Sequence, residues 1–307
     1  MGRAVFRDLH GLVLLDKPLG LSSNQALQAV RRLIRAAKGG HTGALDPLAT
    51  GLLPLCFGEA TKLAGHLLES RKAYAAECRL GVTTTTADRE GEVLQQRPVP
   101  SLDEARIEAA LAPLRGRIRQ VPPAYSAIKQ GGEPLYLKAR RGEAVEVPAR
   151  EVDVHRLELT GRCDDRLQLE IECGSGTYIR SLAVDLGEAL GCGAHLVSLR
   201  RLWVEPFRQP AMVTLAQIEA AAVQGDEVLL ALLRPVAEGL AHRPAVHLDA
   251  MQSRAVAQGR RVVLEPAGLP AGPCAAYAAD GSLLALAELD EQGQLRVLRG
   301  FNLPPPG

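Results

Sequence analysis

Polar and apolar positions change period several times along the chain, and each change marks an element. Residues 11–16 form an apolar run closed by an acid, the pattern of a short buried strand. Lys17-Pro18-Leu19-Gly20 then turns the chain, and Ser22 or Ser23 is placed to cap a helix. Ala26, Leu27, Val30, Leu33 and Ile34 repeat at helical spacing, with Arg31, Arg32 and Arg35 opposite. Residues 39–51 hold too many glycines for a regular element and predict a loop, ending in a short apolar element over 52–57. A second helix is expected over 59–68, with Leu63, Ala64, Leu67 and Leu68 on one face. Residues 72–82 alternate, with Tyr74, Ala76, Cys78 and Leu80 facing one way, as in a half-buried strand.

Ser101-Leu102-Asp103-Glu104 reads as a capping box for a helix through Leu114. Residues 121–150 mix Pro, Gly, charges and tyrosines without a sustained period, and predict an excursion that could act as a mobile flap over a ligand. Two alternating segments, 152–160 and 167–173, flank a turn at Asp164-Asp165; a helix over 177–190 and a strand over 195–204 follow. From about residue 245 the chain becomes short strands and Gly/Pro turns. The expected organisation is therefore a larger domain over 1–242, with an insertion at about 121–150, and a smaller one over 243–307. Strands and helices do not alternate regularly, so the class is α+β rather than doubly wound α/β.

The composition agrees with this. A chain of 307 residues, 47% hydrophobic and 23% charged, is long enough for about two domains. No apolar run approaches the roughly 18–20 residues of a membrane span, and the first ten residues carry charges in place of an apolar signal core. The six cysteines form no CxxC pair, so neither a zinc site nor a disulfide framework is expected, and a reduced cytoplasm is the simplest compartment. Neither GxGxxG nor GxxxxGK[ST] is present. The net charge is only +1, but Arg31, Arg32, Arg35 and Lys38 cluster, as do Arg115, Arg117 and Arg119. Such clusters track phosphates or form solvated faces.

Asp46 stands in the glycine-rich loop between Gly43 and Gly51, ahead of Pro47. It reads either as a turn former or as a carboxylate aimed into a cleft for nucleophilic or base work. Arg180 falls at the start of a helix, where a cation opposes the macrodipole; an anionic partner such as Asp46 would explain it, and solvent exposure is the alternative. Tyr74 and Tyr178 read as core, or, with His41, as flat surfaces for a base.

These segments together spell a family. The run from Gly40-His41-Thr42-Gly43-Ala44-Leu45-Asp46-Pro47 to Leu52-Leu53-Pro54 resembles the signature of the bacterial tRNA pseudouridine-55 synthases, the TruB type. Asp16-Lys17-Pro18-Leu19-Gly20, Lys72-Ala73-Tyr74, Thr86-Ala87-Asp88-Arg89-Glu90-Gly91, Pro122-Pro123-Ala124-Tyr125-Ser126, Gly176-Thr177-Tyr178-Ile179-Arg180-Ser181 and Ser198-Leu199-Arg200-Arg201 follow in family order. One departure is Pro134 in the insertion.

The resemblance implies a pseudouridine synthase core with a mixed, largely antiparallel sheet and flanking helices, and a small β-rich PUA-like RNA-binding domain. It implies isomerisation of uridine 55 in the T loop of tRNA after base flipping, without cofactor or metal, by a cytoplasmic monomer that needs no protein partner. By the same resemblance Asp46 is the catalytic carboxylate and Arg180 its ion-pair partner. Tyr74 stacks on the base and joins in late proton removal; Tyr178 and Leu199 line the pocket. His41 fills the gap left by flipped bases, and Lys17 and Pro18 support the pocket. A non-catalytic RNA binder and a hydrolase with an aspartate nucleophile are the competing readings.

Overall fold

The computed structural model describes residues 6–126, 128–143, 147–264 and 268–304. In chain order, the elements used below are β1 (Gly11–Lys17), α1 (Ser23–Ile34), β2 (Gly39–His41), β3 (Ala49–Phe57), β4 (Lys72–Leu80), α2 (Glu104–Leu111), β5 (Gly116–Gln120), β6 (Arg150–Cys163), β7 (Arg166–Cys173), α3 (Ile179–Ala189) and β8 (Ala194–Val204). The chain divides into two compact units: one comprises residues 46–51 and 69–204, the other residues 1–45, 52–68 and 205–307.

The first unit is built on strand pairing around β8. Arg201 of β8 lies parallel to Gly51 of β3 and antiparallel to Tyr74 of β4; two residues earlier, Leu199 lies between Ala49 and Ala76. β4 continues antiparallel to β7, β7 to β6, and β6 to β5. The β6–β7 turn places Asp164 at φ 51°, which a short polar residue tolerates. Along β7 the buried Leu167, Leu169, Ile171 and Cys173 alternate with more exposed residues, the pleat written in the sequence. α3 packs its Ile179, Leu182, Ala183 and Leu186 inward.

In the second unit α1 begins with a reciprocal capping box between Ser22 and Gln25, an arrangement contributing about 1 kcal/mol. Its buried face is Ala26, Leu27, Val30 and Ile34. A five-stranded sheet near the C-terminus, from Ala245–His247 to Gln294–Gly300, encloses a core of Val246, Leu248, Val256, Ala276, Ala287 and Leu295. Among the described residues no helix is long and apolar enough to cross a membrane.

Several expectations need correction. Gly39–His41 is a strand rather than a loop: it pairs antiparallel with Leu55–Phe57, and the ladder bonds outweigh the entropic cost of two glycines. The helix expected over 59–68 is a 3-10 turn, Gly58–Leu63, followed by a short α-helix, Ala64–Leu68, and Leu68 faces solvent. Asp103, not Ser101, caps α2, accepting from the Arg106 amide at 2.8 Å. The insertion contains a hairpin, Lys129–Gln130 with Glu133–Pro134, and a helix, Leu135–Arg140; its residues 127 and 144–146 lie outside the described residues.

The arginine cluster of α1 also differs from an open cationic face. Arg31 donates to the Ala36 and Ala37 carbonyls at 3.0 and 2.6 Å and lies 5.2 Å from the Phe6 ring centre. Arg35 ends the helix at φ 57° and pairs with Asp226, as does Arg7. These cations hold their own unit together. Arg115 is likewise paired with Glu108, and Arg117 with Glu151.

Candidate active site

Asp46 opens a tight turn in which its carbonyl accepts from the Ala49 amide at 3.0 Å, leading straight into β3. Leu45 and Leu48 on either side are buried, while the Asp46 side chain stays 44% exposed. The flanking leucines anchor the turn, so the carboxylate is held by the backbone and open to an approaching molecule.

Arg180 meets it from the first turn of α3, its Nε 3.0 Å from Asp46 Oδ2. The arginine is only 5% exposed and its whole fork is engaged. Nη1 donates to the Thr86 carbonyl at 2.9 Å and Nη2 to the Tyr125 carbonyl at 2.8 Å. Nη1 also lies 3.6 Å from the carboxylate of Asp88, another side chain 5% exposed. One buried guanidinium thus serves two carboxylates, one enclosed and one open. Together they answer the macrodipole penalty of a cation at a helix start.

Asp88 is a site residue to which the sequence reading gave no role. Its loop is over-determined: Thr86 Oγ1 and the Glu90 amide donate to its Oδ1 at 2.5 and 3.0 Å, and Thr84 donates to its carbonyl at 2.6 Å. Ala87 is held at φ 61°, and its carbonyl accepts from the Leu196 amide of β8 at 3.0 Å. A left-handed alanine persists only where its surroundings enforce it. The available signal was the polar run Thr83-Thr84-Thr85-Thr86-Ala87-Asp88, dense in groups that satisfy one another in a tight loop.

Tyr178 occupies the N-cap of α3 without a side-chain cap bond. Gln120, at the end of β5, takes that part: its Oε1 accepts from the Tyr178 amide at 2.8 Å and its Nε2 donates to the Tyr178 carbonyl at 3.1 Å. Ser181 donates to the Val121 carbonyl at 2.7 Å, so the entry to the insertion is laced to the same helical turn that carries Arg180. The Arg150 guanidinium lies 5.1 Å from the centre of the Tyr178 ring.

Tyr74 is buried on β4, beside Arg201 of β8 and Ile171 of β7. Burial pushes its phenol up from the ordinary tyrosine value; the Arg201 cation and its hydrogen bond pull the other way, while nearby Cys173 and Asp46 push up. Leu199 is buried next to it in the register. Lys72, two residues before Tyr74, donates to the Ser70 carbonyl at 2.6 Å and is pulled down to about 8 by burial and by Arg201.

Asp46, Tyr74, Tyr178, Arg180 and Leu199 all belong to the unit built around β8. Lys17, Pro18 and His41 belong to the other unit. There Lys17 is fully buried and donates to the Pro18 and Leu21 carbonyls at 2.8 and 2.6 Å, clamping the turn after β1. His41 ends β2 opposite Leu55, half-buried. Among the described residues no three His, Cys, Asp or Glu side chains converge as a metal site.

Comparison with known proteins defines the class of molecule that this geometry serves. Residues 31–179 match the TruB family pseudouridylate synthase N-terminal domain. Residues 180–241 match the tRNA pseudouridylate synthase B C-terminal domain, and residues 244–301 match the TruB C-terminal domain of pseudouridine synthase II. The fold is shared with a chain of an H/ACA RNP bound to a substrate RNA containing 2'-deoxyuridine, at TM-score 0.74 and 23% identity, covering 96% of this chain and 86% of that one. The class is that of the pseudouridine synthases, isomerases of uridine in RNA.

Relatives fix the branch. A tRNA pseudouridine synthase B from Xanthomonas campestris pv. campestris (strain B100) is 59% identical over 300 residues, 98% of this chain and 96% of the relative. Another, from Xylella fastidiosa (strain Temecula1 / ATCC 700964), is 57% identical over 303 residues, 99% of each. The chain belongs to the TruB family of pseudouridine synthases.

Proposed function

We propose that the protein converts uridine 55 in the T loop of tRNA to pseudouridine, with Asp46 as the catalytic carboxylate. The observation carrying this reading is the asymmetry of the Arg180 site: a buried, fully engaged guanidinium holds one carboxylate that is enclosed and one that is open. Charge pairing keeps a carboxylate ionised, and a preorganised partner keeps it aimed as charge develops at the sugar. The reaction breaks the N1–C1′ bond, turns the uracil and joins C5 to C1′. Atoms and oxidation state are conserved, so the isomerisation itself calls for no external oxidant or reductant.

In this reading Asp88 positions Arg180 from behind. Tyr74 stacks on the flipped base and its hydroxyl takes part in late proton removal, while Tyr178 and Leu199 line the pocket. His41 occupies the space the flipped bases leave, which offsets an unstacking cost of a few kcal/mol. Lys17 and Pro18 take the supporting rather than reacting role. Residues 1–242 form the catalytic domain and 243–307 a PUA-like RNA-binding domain. The T arm is held through phosphates and shape. The enzyme works in the cytoplasm as a monomer without a protein partner. Relatives called tRNA pseudouridine synthase B support the tRNA substrate.

The test is incubation of purified protein with unmodified tRNA, followed by mapping of pseudouridine at single-nucleotide resolution. The expected outcome is conversion at position 55 alone, lost in Asp46→Asn while tRNA binding stays within about tenfold. Turnover retained by Asp46→Asn rejects Asp46 as the catalyst, and conversion elsewhere rejects the target.

A further inference from the structure

Among the described residues, the most deeply buried cation of the site-bearing unit is Arg201, and the proposed reaction assigns it no role. Arg201 is 1% exposed, one of the largest side chains in the protein to be so enclosed. Burying a guanidinium costs several kcal/mol unless its surroundings compensate, so its position calls for a reason.

Its place is fixed by backbone geometry. Arg201 sits in β8 between Gly51 of β3 and Tyr74 of β4. A Cβ on Gly51 would lie 2.2 Å from the Arg201 carbonyl oxygen and 2.8 Å from its amide nitrogen, so the two strands approach more closely than any side chain allows. Directly opposite residues of an antiparallel pair project from the same face, which sets Arg201 and Tyr74 side by side. Both side chains are buried there, so the Arg201 cation and the Tyr74 phenol are enclosed together, and the cation favours the phenol's ionised form against the burial that opposes it. The negative charges of Asp46 and of Cys173, the last residue of β7, push the same phenol up. Arg201 therefore reaches the chemistry through a tyrosine.

We propose that Arg201 is a positioning residue that orients the Tyr74 phenol and stabilises its ionised form during the late proton removal. This inference rests on the reading of Tyr74 given above. In that step the ionised phenol oxygen takes the proton from C5. The C5–H electron pair becomes the C5=C6 double bond, and the displaced C6=N1 pair takes a proton from water at N1. Burial opposes ionisation of a phenol and wins overall at Tyr74; the cation beside it, itself shielded from water, offsets part of that cost. Arginine suits the position because its planar fork donates in a fixed direction and stays charged at any working pH.

The experiment is a double-mutant cycle on single-turnover pseudouridine formation, using tRNA carrying either ordinary or 5-deuterated uridine. Arg201→Gln is expected to slow the reaction about tenfold or more, with tRNA Kd within about threefold. Because proton removal then limits the rate, deuterium at C5 slows this variant more than the wild type. Arg201→Lys, which keeps the charge and loses the fork, falls between the two; it carries the test by itself if Arg201→Gln does not fold. On a Tyr74→Phe background the Arg201 substitution costs nothing further. A second, equal loss on that background overturns the proposal, because Arg201 would then act on packing. So does an Arg201 variant with the wild-type rate. Tyr74→Phe turning over at the wild-type rate fails the reading of Tyr74 itself, a separate result.

Discussion

Arg180→Met tests the electrostatic logic of the site most directly. The substitution keeps a long apolar stem in a position 5% exposed and removes the charge. Four interactions go with it: the ion pair to Asp46 at 3.0 Å, the approach to Asp88 at 3.6 Å, and the bonds to the Thr86 and Tyr125 carbonyls at 2.9 and 2.8 Å. Asp46 is 44% exposed and returns to water at little cost, so it adds almost nothing to the loss of stability. Asp88 is 5% exposed and cannot; a buried charge stripped of its partner costs about 3–5 kcal/mol. Two orphaned carbonyls add about 1–3 kcal/mol each where water does not reach them. The single variant should therefore lose about 4 kcal/mol or more in urea unfolding monitored by circular dichroism. Adding Asp88→Asn removes the stranded charge and should return about half of that loss. Activity should not return, because Asp46 still lacks its guanidinium. If the double variant is no more stable than the single one, Asp88 is not balanced by Arg180 and the two-carboxylate account fails. If the double variant forms pseudouridine at the wild-type rate, the guanidinium is not what prepares Asp46.

Three further outcomes follow from other parts of the molecule. Gly51→Ala places a Cβ 2.2 Å from the Arg201 carbonyl oxygen at a backbone φ of +94°; the thermal midpoint should fall sharply and activity with it, whereas an unchanged melt refutes the close approach of β3 and β8. Lys72 is held down to about 8, below its unfolded value, so the unfolded chain binds more protons between about pH 8 and 10.5 and the fold gains stability as pH rises through that window. Relative to Lys72→Met, the wild type should gain roughly 3 kcal/mol across that window, and a flat difference would contradict the burial of the charged amine. Cys163 is exposed while the other five cysteines are buried, with Cys56 and Cys78 pushed up to about 12 by burial. A thiol reagent at pH 8 should label one cysteine quickly in the native protein and six after denaturation; rapid native labelling of more than one contradicts the packing.

The sequence by itself determined the parts governed by local physics. The alternation of β4, the β6–β7 pair and β8, and the spacing of α1 and α3, place apolar groups on one face whatever else the chain does. The observed elements lie within a few residues of those expectations. Asp46 and Arg180 were also legible, one from its glycine-rich turn and one as a cation in an unfavourable place on a helix. Their pairing is a property of the folded chain, which brings Arg180 Nε 3.0 Å from Asp46 Oδ2. Other features depended on residues far apart in the chain. Gly39–His41 became a strand because Leu55–Phe57 offered it a ladder, and no local propensity encodes a partner sixteen residues away. Asp88 joined the site because the Arg180 fork points at it across 92 residues, and Arg201 because a glycine let two strands close against it beside Tyr74. By sequence the arginines of α1 could track phosphates or form a solvated face; in the structure Asp226 pairs with Arg35, and the Ala36 and Ala37 carbonyls just past the helix accept from Arg31. A charged side chain's role is set by the partner within reach, and in this protein the partners that matter are brought by strand register and helix placement rather than by sequence spacing.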